Sequence, residues 1–162
     1  MSEIGDIIRK ELDRAVSDIR RNAQSAGKVA TGKTIRSLER EVFDFGGGAE
    51  GRIYGASYIS TLETGRPPAR NASTPYQKQQ FIRSLMEWCR VRGIGQSLND
   101  EQLYRLANYM RWRINTFGSQ LWQRGGRKDI ITPALEQAEM RIGEQLEEYI
   151  IEYTYRKFNN KQ

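Results

Sequence analysis

The run Gly27-Lys28-Val29-Ala30-Thr31-Gly32-Lys33-Thr34 fits the spacing G-x-x-x-x-G-K-[ST]. In a phosphate-binding loop that spacing wraps backbone N–H groups around the β-phosphate, sends the Lys to the β- and γ-phosphates and gives Mg²⁺ a hydroxyl ligand. The chemistry needs a buried strand before the loop and a helix after it. What precedes Gly27 is Asp18-Ile19-Arg20-Arg21-Asn22-Ala23-Gln24-Ser25, the polar end of an amphipathic helix. No later apolar run ends in an Asp that could serve as a second Mg²⁺ ligand, and no repeated βαβ units follow. The favoured reading is a helix junction capped by Thr31, with no cofactor and no metal.

The remaining candidates for chemistry are a thiol and a few carboxylates. The chain has no His, which removes the commonest proton shuttle and metal ligand, and with them every Ser-His, Cys-His and His-rich zinc arrangement. Cys89 is the only cysteine, so there is no internal disulfide. It lies on an apolar stripe with Leu85 and Trp88 and reads as a buried structural residue rather than a nucleophile. Glu63, Asp100, Glu101 and Asp129 show no spacing that turns two of them toward one pocket. The residues predict a protein that is not an enzyme.

Charge is the stronger signal. The chain carries 26 Lys and Arg against 20 Asp and Glu, a net of +6, and 19 of the 26 are Arg. Residues 1 to 51 are neutral, residues 52 to 131 carry +8, and residues 132 to 162 carry −2. The excess in the middle calls for a polyanion or an acidic protein face, which Arg forks pair with bidentately. The candidate partner-facing or DNA-facing residues are Arg66, Arg70, Arg105, Arg111, Arg113, Arg124, Arg127 and Lys128; the alternative is a solvated surface. Two helices at residues 81 to 93 and 100 to 118 invite comparison with a DNA-reading pair, but the connection of about seven residues exceeds the usual three or four. Trp112 is expected to bury against a neighbouring helix rather than stack on a base. A small basic DNA-binding protein remains the alternative function.

These residues must be positioned by elements that the spacing reveals. The chain is 162 residues long, enough to bury a modest core. Ile4, Ile8, Leu12, Ala15, Ile19 and Ala23 predict an amphipathic helix over residues 3 to 25, capped by Ser2 and stopped at Ala26-Gly27. A second helix is expected at about 32 to 40. Val42-Phe43-Asp44-Phe45, a turn over residues 46 to 51 and a strand over 52 to 58 predict a β-hairpin at about 41 to 58. Residues 58 to 65 read equally as strand or helical turn, and residues 66 to 75 as a Pro-rich loop. The two following helices form an αα-hairpin at 76 to 118. Asp129-Ile130-Ile131 reads as a short strand, with Thr132 capping a final helix of about 25 residues whose stripe is Leu135, Ala138, Ile142, Leu146, Tyr149 and Tyr153. The expectation is a single α+β domain over 1 to 162, its small antiparallel sheet packed on the first and last helices, with the helical hairpin inserted. No stretch is long enough to span a membrane, and the N-terminus lacks the apolar region of a signal sequence.

The order of these features resembles the neck, head–tail connector and tail-completion proteins of tailed bacteriophages, of the minor tail protein Z type. The likeness rests on the N-terminal helix, Thr31-Gly32-Lys33-Thr34-Ile35-Arg36-Ser37-Leu38, the Gly-turned hairpin and Tyr58-Ile59-Ser60-Thr61-Leu62-Glu63-Thr64-Gly65. WCRVRGI at 88 to 94, Leu106-Ala107 with Ile114 and Phe117-Gly118, and Ile131-Thr132-Pro133-Ala134-Leu135 extend it over nearly the whole chain. Lys33-Thr34 departs from the pattern, in which an apolar residue directly follows the Gly. The resemblance implies a non-enzymatic virion protein, assembled in the host cytoplasm as a ring that joins portal or connector to tail. Its partners would be copies of itself, neighbouring portal, connector or tail proteins, and packaged DNA through non-specific phosphate contacts. Tyr149, Ile150, Ile151, Tyr153 and Tyr155 give the last helix more apolar circumference than a small monomer needs, which independently predicts oligomerisation.

Overall fold

Ser2 opens the first element: its hydroxyl accepts a hydrogen bond from the Gly5 amide at 3.0 Å. Glu3 and Asp6 add negative charge to the first turn, where the helix dipole favours it. Helix α1 (Glu3–Ser25) buries Ile8, Leu12, Ala15, Ile19 and Ala23 of the predicted stripe and adds Val16, while Ile4 is half-buried; the helix ends at Ala26 with Gly27 at φ +63°. The structure, a computed structural model, describes residues 2–28, 32–69 and 73–159. Thr31, the expected junction cap, and Arg70 lie outside the described residues.

Helix α2 (Lys33–Arg36) is a single turn rather than the expected span of 32 to 40. The chain is already paired in a strand at Glu39, and Ser37 closes the turn by donating to the Thr34 carbonyl at 2.7 Å while accepting from the Ala56 amide at 2.9 Å. Strands β1 (Glu39–Phe45) and β2 (Gly48–Tyr54) pair antiparallel from Glu39↔Tyr54 to Phe45↔Gly48. Gly46 and Gly47 alone make the turn. The expected longer turn over 46 to 51 and second strand over 52 to 58 are therefore corrected. Gly51 belongs to the strand because of a close approach: a Cβ there would stand 2.5 Å from Ile8 Cγ2 and 2.6 Å from Leu12 Cδ1. Glycine lets the strand lie directly on α1.

Residues 61 to 64 form a helical turn, α3 (Thr61–Thr64), which resolves the strand-or-helix ambiguity. Helix α4 (Pro75–Val91) begins six residues before Phe81, the first residue of its apolar stripe. A reciprocal cap between Thr74 and Gln77 and Pro75 in the first turn start it there. Helix α5 (Asp100–Phe117) starts with the same device between Asn99 and Gln102. The two form the expected αα-hairpin around Ile82, Leu85 and Ala107, flanked by Phe81, Met86, Met110 and Ile114. A single-turn helix α6 (Gln120–Gln123) follows, and helix α7 (Thr132–Asn159) closes the chain.

Helix α7 spans 28 residues, about 42 Å at 1.5 Å per residue. It runs antiparallel to α1, since Asn22 donates to the Ile130 carbonyl while Arg141 reaches Glu11. The expected Leu135, Ala138, Ile142, Leu146, Tyr149, Tyr153 stripe holds in its middle, with Ala138 buried and Ile142, Leu146 and Tyr149 half-buried, and fails at its two ends. Ala134 and Ala138 are the buried residues, Leu135 is exposed, and Tyr153 is half exposed. Small residues let the helices approach, and the same line continues into Arg141 and Gln145, whose polar ends meet Glu11. The fold is α+β, with the β-hairpin and α7 packed on α1, which stands between them. The main core gathers Val16, Ile19, Ala23, Leu38, Ile130 and Ala134 from four segments of the chain.

Candidate functional site

Among the described residues two carboxylates are buried, and both are engaged. Glu11 is fully buried on α1 and accepts from Arg141 Nε at 2.7 Å, Gln145 Nε2 at 2.9 Å and Arg14 Nη1 at 2.7 Å. Burial raises its pKa, but the hydrogen bonds from Gln145 and Arg141 and the nearby guanidinium charges outweigh burial and leave it below its ordinary value. Glu63, on α3, has no such cation bound to its carboxylate. It accepts from the amides of Ile130 at 2.8 Å, Ile131 at 2.6 Å and Thr132 at 3.1 Å, and from the Thr132 hydroxyl at 2.8 Å. Burial pushes this carboxyl up, and those four donors bring it below its ordinary value.

Glu63 is thus the cap of α7, supplied from nearly seventy residues away in the chain. The expected arrangement is corrected on two points. Thr132 lies inside the helix and gives its hydroxyl to Glu63 instead of capping, and residues 129 to 131 form a bend rather than a strand because their amides turn toward one carboxylate. The turn that presents Glu63 depends on Gly65, buried at φ +71°. Gly126, at φ +81°, passes so close that a Cβ would stand 2.8 Å from the Glu63 carbonyl oxygen.

The basic residues are distributed over several surfaces. Arg127 is paired with Asp129, and with Lys128 it lines a cleft of about 440 Å³ that also includes Glu63, Trp122 and Thr132. Arg124 is exposed at the end of α6. Arg105 pairs with Glu101 at 2.6 Å, one turn earlier on α5. At 100° per residue Arg113 projects within about 80° of Arg105, while Arg111 lies about 120° away on the flank nearer α4. Trp112 is half exposed rather than buried, stacked with Tyr109 at 5.9 Å and edge-on to Phe117 at 6.0 Å. Leu103 and Ala107 hold the buried face of α5 on the side away from it.

Arg66 and Arg111 meet in a second cleft, of about 500 Å³, between the loop after α3 and helices α4 and α5. Lys78 joins them, with Ser73, Tyr76 and Ser84. The Arg66 guanidinium lies 3.9 Å from the Phe81 ring centroid, in cation–π contact. Loss of water lowers its pKa, and no carboxylate opposes that shift. Arg111 donates to Asn108 Oδ1 at 3.2 Å. Among the described residues, no acidic side chain lines this cleft and none of the three cations forms an ion pair.

The remaining chemical candidates are buried or paired. Cys89 is fully buried with its Sγ 3.9 Å from Met110 Sδ, and burial pushes its thiol pKa up. Asp100 pairs with Arg90 at 2.8 Å. Gly27, which opens the phosphate-loop pattern, follows helix α1 where that chemistry requires a strand, and Lys33 pairs with Glu87 at 3.1 Å.

Sequence reasoning missed Lys78 and the role of Glu63. A signal for the cleft was present: residues 64 to 86 and 102 to 128 contain no Asp or Glu, while together they hold Arg66, Arg70, Lys78, Arg83 and six further basic side chains. Segment totals conceal this, because the carboxylates of the middle region fall outside those two runs. Glu63 gave no comparable signal, since its partners are backbone amides. No protein family, no curated protein and no solved structure matches this chain.

Proposed function

We propose that the protein is a structural subunit of a tailed bacteriophage, assembling as a ring at the head–tail neck or tail end and joining portal or connector to tail without catalysing a reaction. The observation that carries the oligomeric part of this reading is the free end of α7. Glu3 and Asp6, at the start of α1, share a surface groove with Tyr149 and Glu152, so the turns after Glu152 extend past α1. On those turns Tyr153, Tyr155 and Phe158 are 49%, 68% and 74% exposed, following Ile150 and Ile151 at 59% and 63%. A run of this kind on a projecting helix is suited to packing against another subunit. The order of the Thr31-Gly32 junction, the Gly-turned hairpin and the Tyr58-to-Gly65 segment supports the phage assignment. No helix of the described residues is long and apolar enough to cross a membrane.

Light scattering on the purified chain, with negative-stain imaging, tests the reading. A closed multimer is expected, and Ile151→Asp with Tyr155→Asp should give a monomer with unchanged helix content. Co-purification with portal or tail components, and labelling at the neck of virions, test the location. A wild-type chain that stays monomeric at high concentration and is missing from virions overturns the proposal.

A further inference from the structure

The cleft holding Arg66, Lys78 and Arg111 contains three cations without a counter-charge among its described residues. They come from three segments: the loop after α3, the first turn of α4 and the flank of α5. Like charges gathered in one cleft repel, and Arg66 is partly dehydrated against Phe81 as well, so the arrangement is costly unless an anion enters. The first turn of α4, a helix of 17 residues, lines the same cleft and adds its positive end. Ser73, Tyr76 and Ser84 also line it and add hydroxyl-bearing side chains.

We propose that this cleft is a binding site for the backbone phosphates of a nucleic-acid strand, with Arg66, Lys78 and Arg111 as the phosphate ligands. The donor set favours phosphate over carboxylate: three cationic residues from three segments lining one cleft suit a group with several acceptor oxygens, whereas a carboxylate offers two in a plane. The cleft is larger than one phosphate needs, as a strand passing through requires. At its edge the Tyr76 ring is 71% exposed, in position for a base to stack beside the bound backbone. Recognition of this kind is independent of base sequence. It separates Arg66 and Arg111 from Arg105, which is already paired, and from Arg113 on another side of α5. The inference does not rest on the ring reading: a monomer that binds in this way keeps it, and a ring that does not bind loses it.

The test is anisotropy of a fluorescein-labelled single-stranded oligodeoxynucleotide with the full-length chain across a salt series. Arg66→Gln, Lys78→Gln and Arg111→Gln together should weaken binding by about tenfold or more and flatten the log–log salt dependence by about 2. Arg83→Gln, Arg105→Gln and Arg113→Gln remove the same charge elsewhere and should weaken it less than about threefold. Titrating the wild-type chain while following arginine Nε–Hε resonances by NMR avoids any question of variant folding; Arg66 and Arg111 should shift, and Arg105 and Arg113 should not. Equal losses from the two triple variants, absence of oligonucleotide binding, equally tight binding of polyglutamate, or binding of pyrophosphate alone would each overturn the proposal.

Discussion

Glu63 and Arg66 are three positions apart in the chain, yet the charge of one is answered inside the protein and that of the other is not. Four donors from the start of α7 converge on the Glu63 carboxylate, so its charge is consumed in joining α3 to the last helix. Arg66 rests on an aromatic ring and shares an open cleft with two further cations. The contrast separates a charge that builds the fold from a charge available to a ligand. Exposure alone would not draw that line, because many exposed cations here, such as Arg105 and Arg156, are already paired.

That distinction can be broken most directly at Glu63. Glu63→Ala leaves three amides and a hydroxyl without their acceptor, and a loss of about 3 kcal/mol is expected in urea unfolding. In thermal unfolding this corresponds to a drop on the order of 10 °C. Glu63→Gln keeps one acceptor oxygen and should lose about half as much. The folded-state pKa values of Glu63 and Glu11 are lowered, so their stabilisation is complete above the unfolded value near 4.5 and is lost as pH falls through the folded values. Stability should therefore decline below about pH 4.5, and the decline should be shallower in Glu63→Ala than in wild type.

Glu11→Ala provides the next largest effect. It removes the acceptor of Arg141 Nε, but the guanidinium still faces Asp18 at 3.7 Å and the side chain is 27% exposed, so about 2 kcal/mol is expected from chemical denaturation. Arg66→Ala sharpens the other side of the comparison. Only a cation–π contact is lost, so stability should change by less than about 1 kcal/mol while oligonucleotide binding falls. Arg105→Ala should have the smallest effect, within about 0.5 kcal/mol in the same unfolding assay, because its partner Glu101 is an exposed neighbour one turn away. A large loss of stability from Arg66→Ala, or a small one from Glu63→Ala, would erase the distinction.

Local signals in the chain were read correctly where side chains act on near neighbours. Ser2 capping Gly5 and the burial of α1 at its 3- and 4-residue spacings are both interactions within a turn or two. Readings failed where a distant segment intervened. Gly51 looked like part of a turn until α1 occupied the space a side chain would need. Thr132 looked like a cap until Glu63 took that role. On α7 the apolar stripe was right from Ala138 to Tyr149 but not at Leu135, where the smaller Ala134 permits the closest approach to α1, nor in the polar contribution of Arg141 and Gln145, which Glu11 receives.

Composition and periodicity therefore determined, without coordinates, a helix-rich α+β chain with a glycine-turned hairpin, no histidine chemistry and positive charge concentrated in its middle. These properties depend on residue type or on spacings a few positions long. Only the tertiary structure decided which charges are neutralised and which are not. Neutralisation is set by distances between segments tens of residues apart, and those distances follow from how α7 and the β-hairpin pack on α1 and how α4 packs on α5.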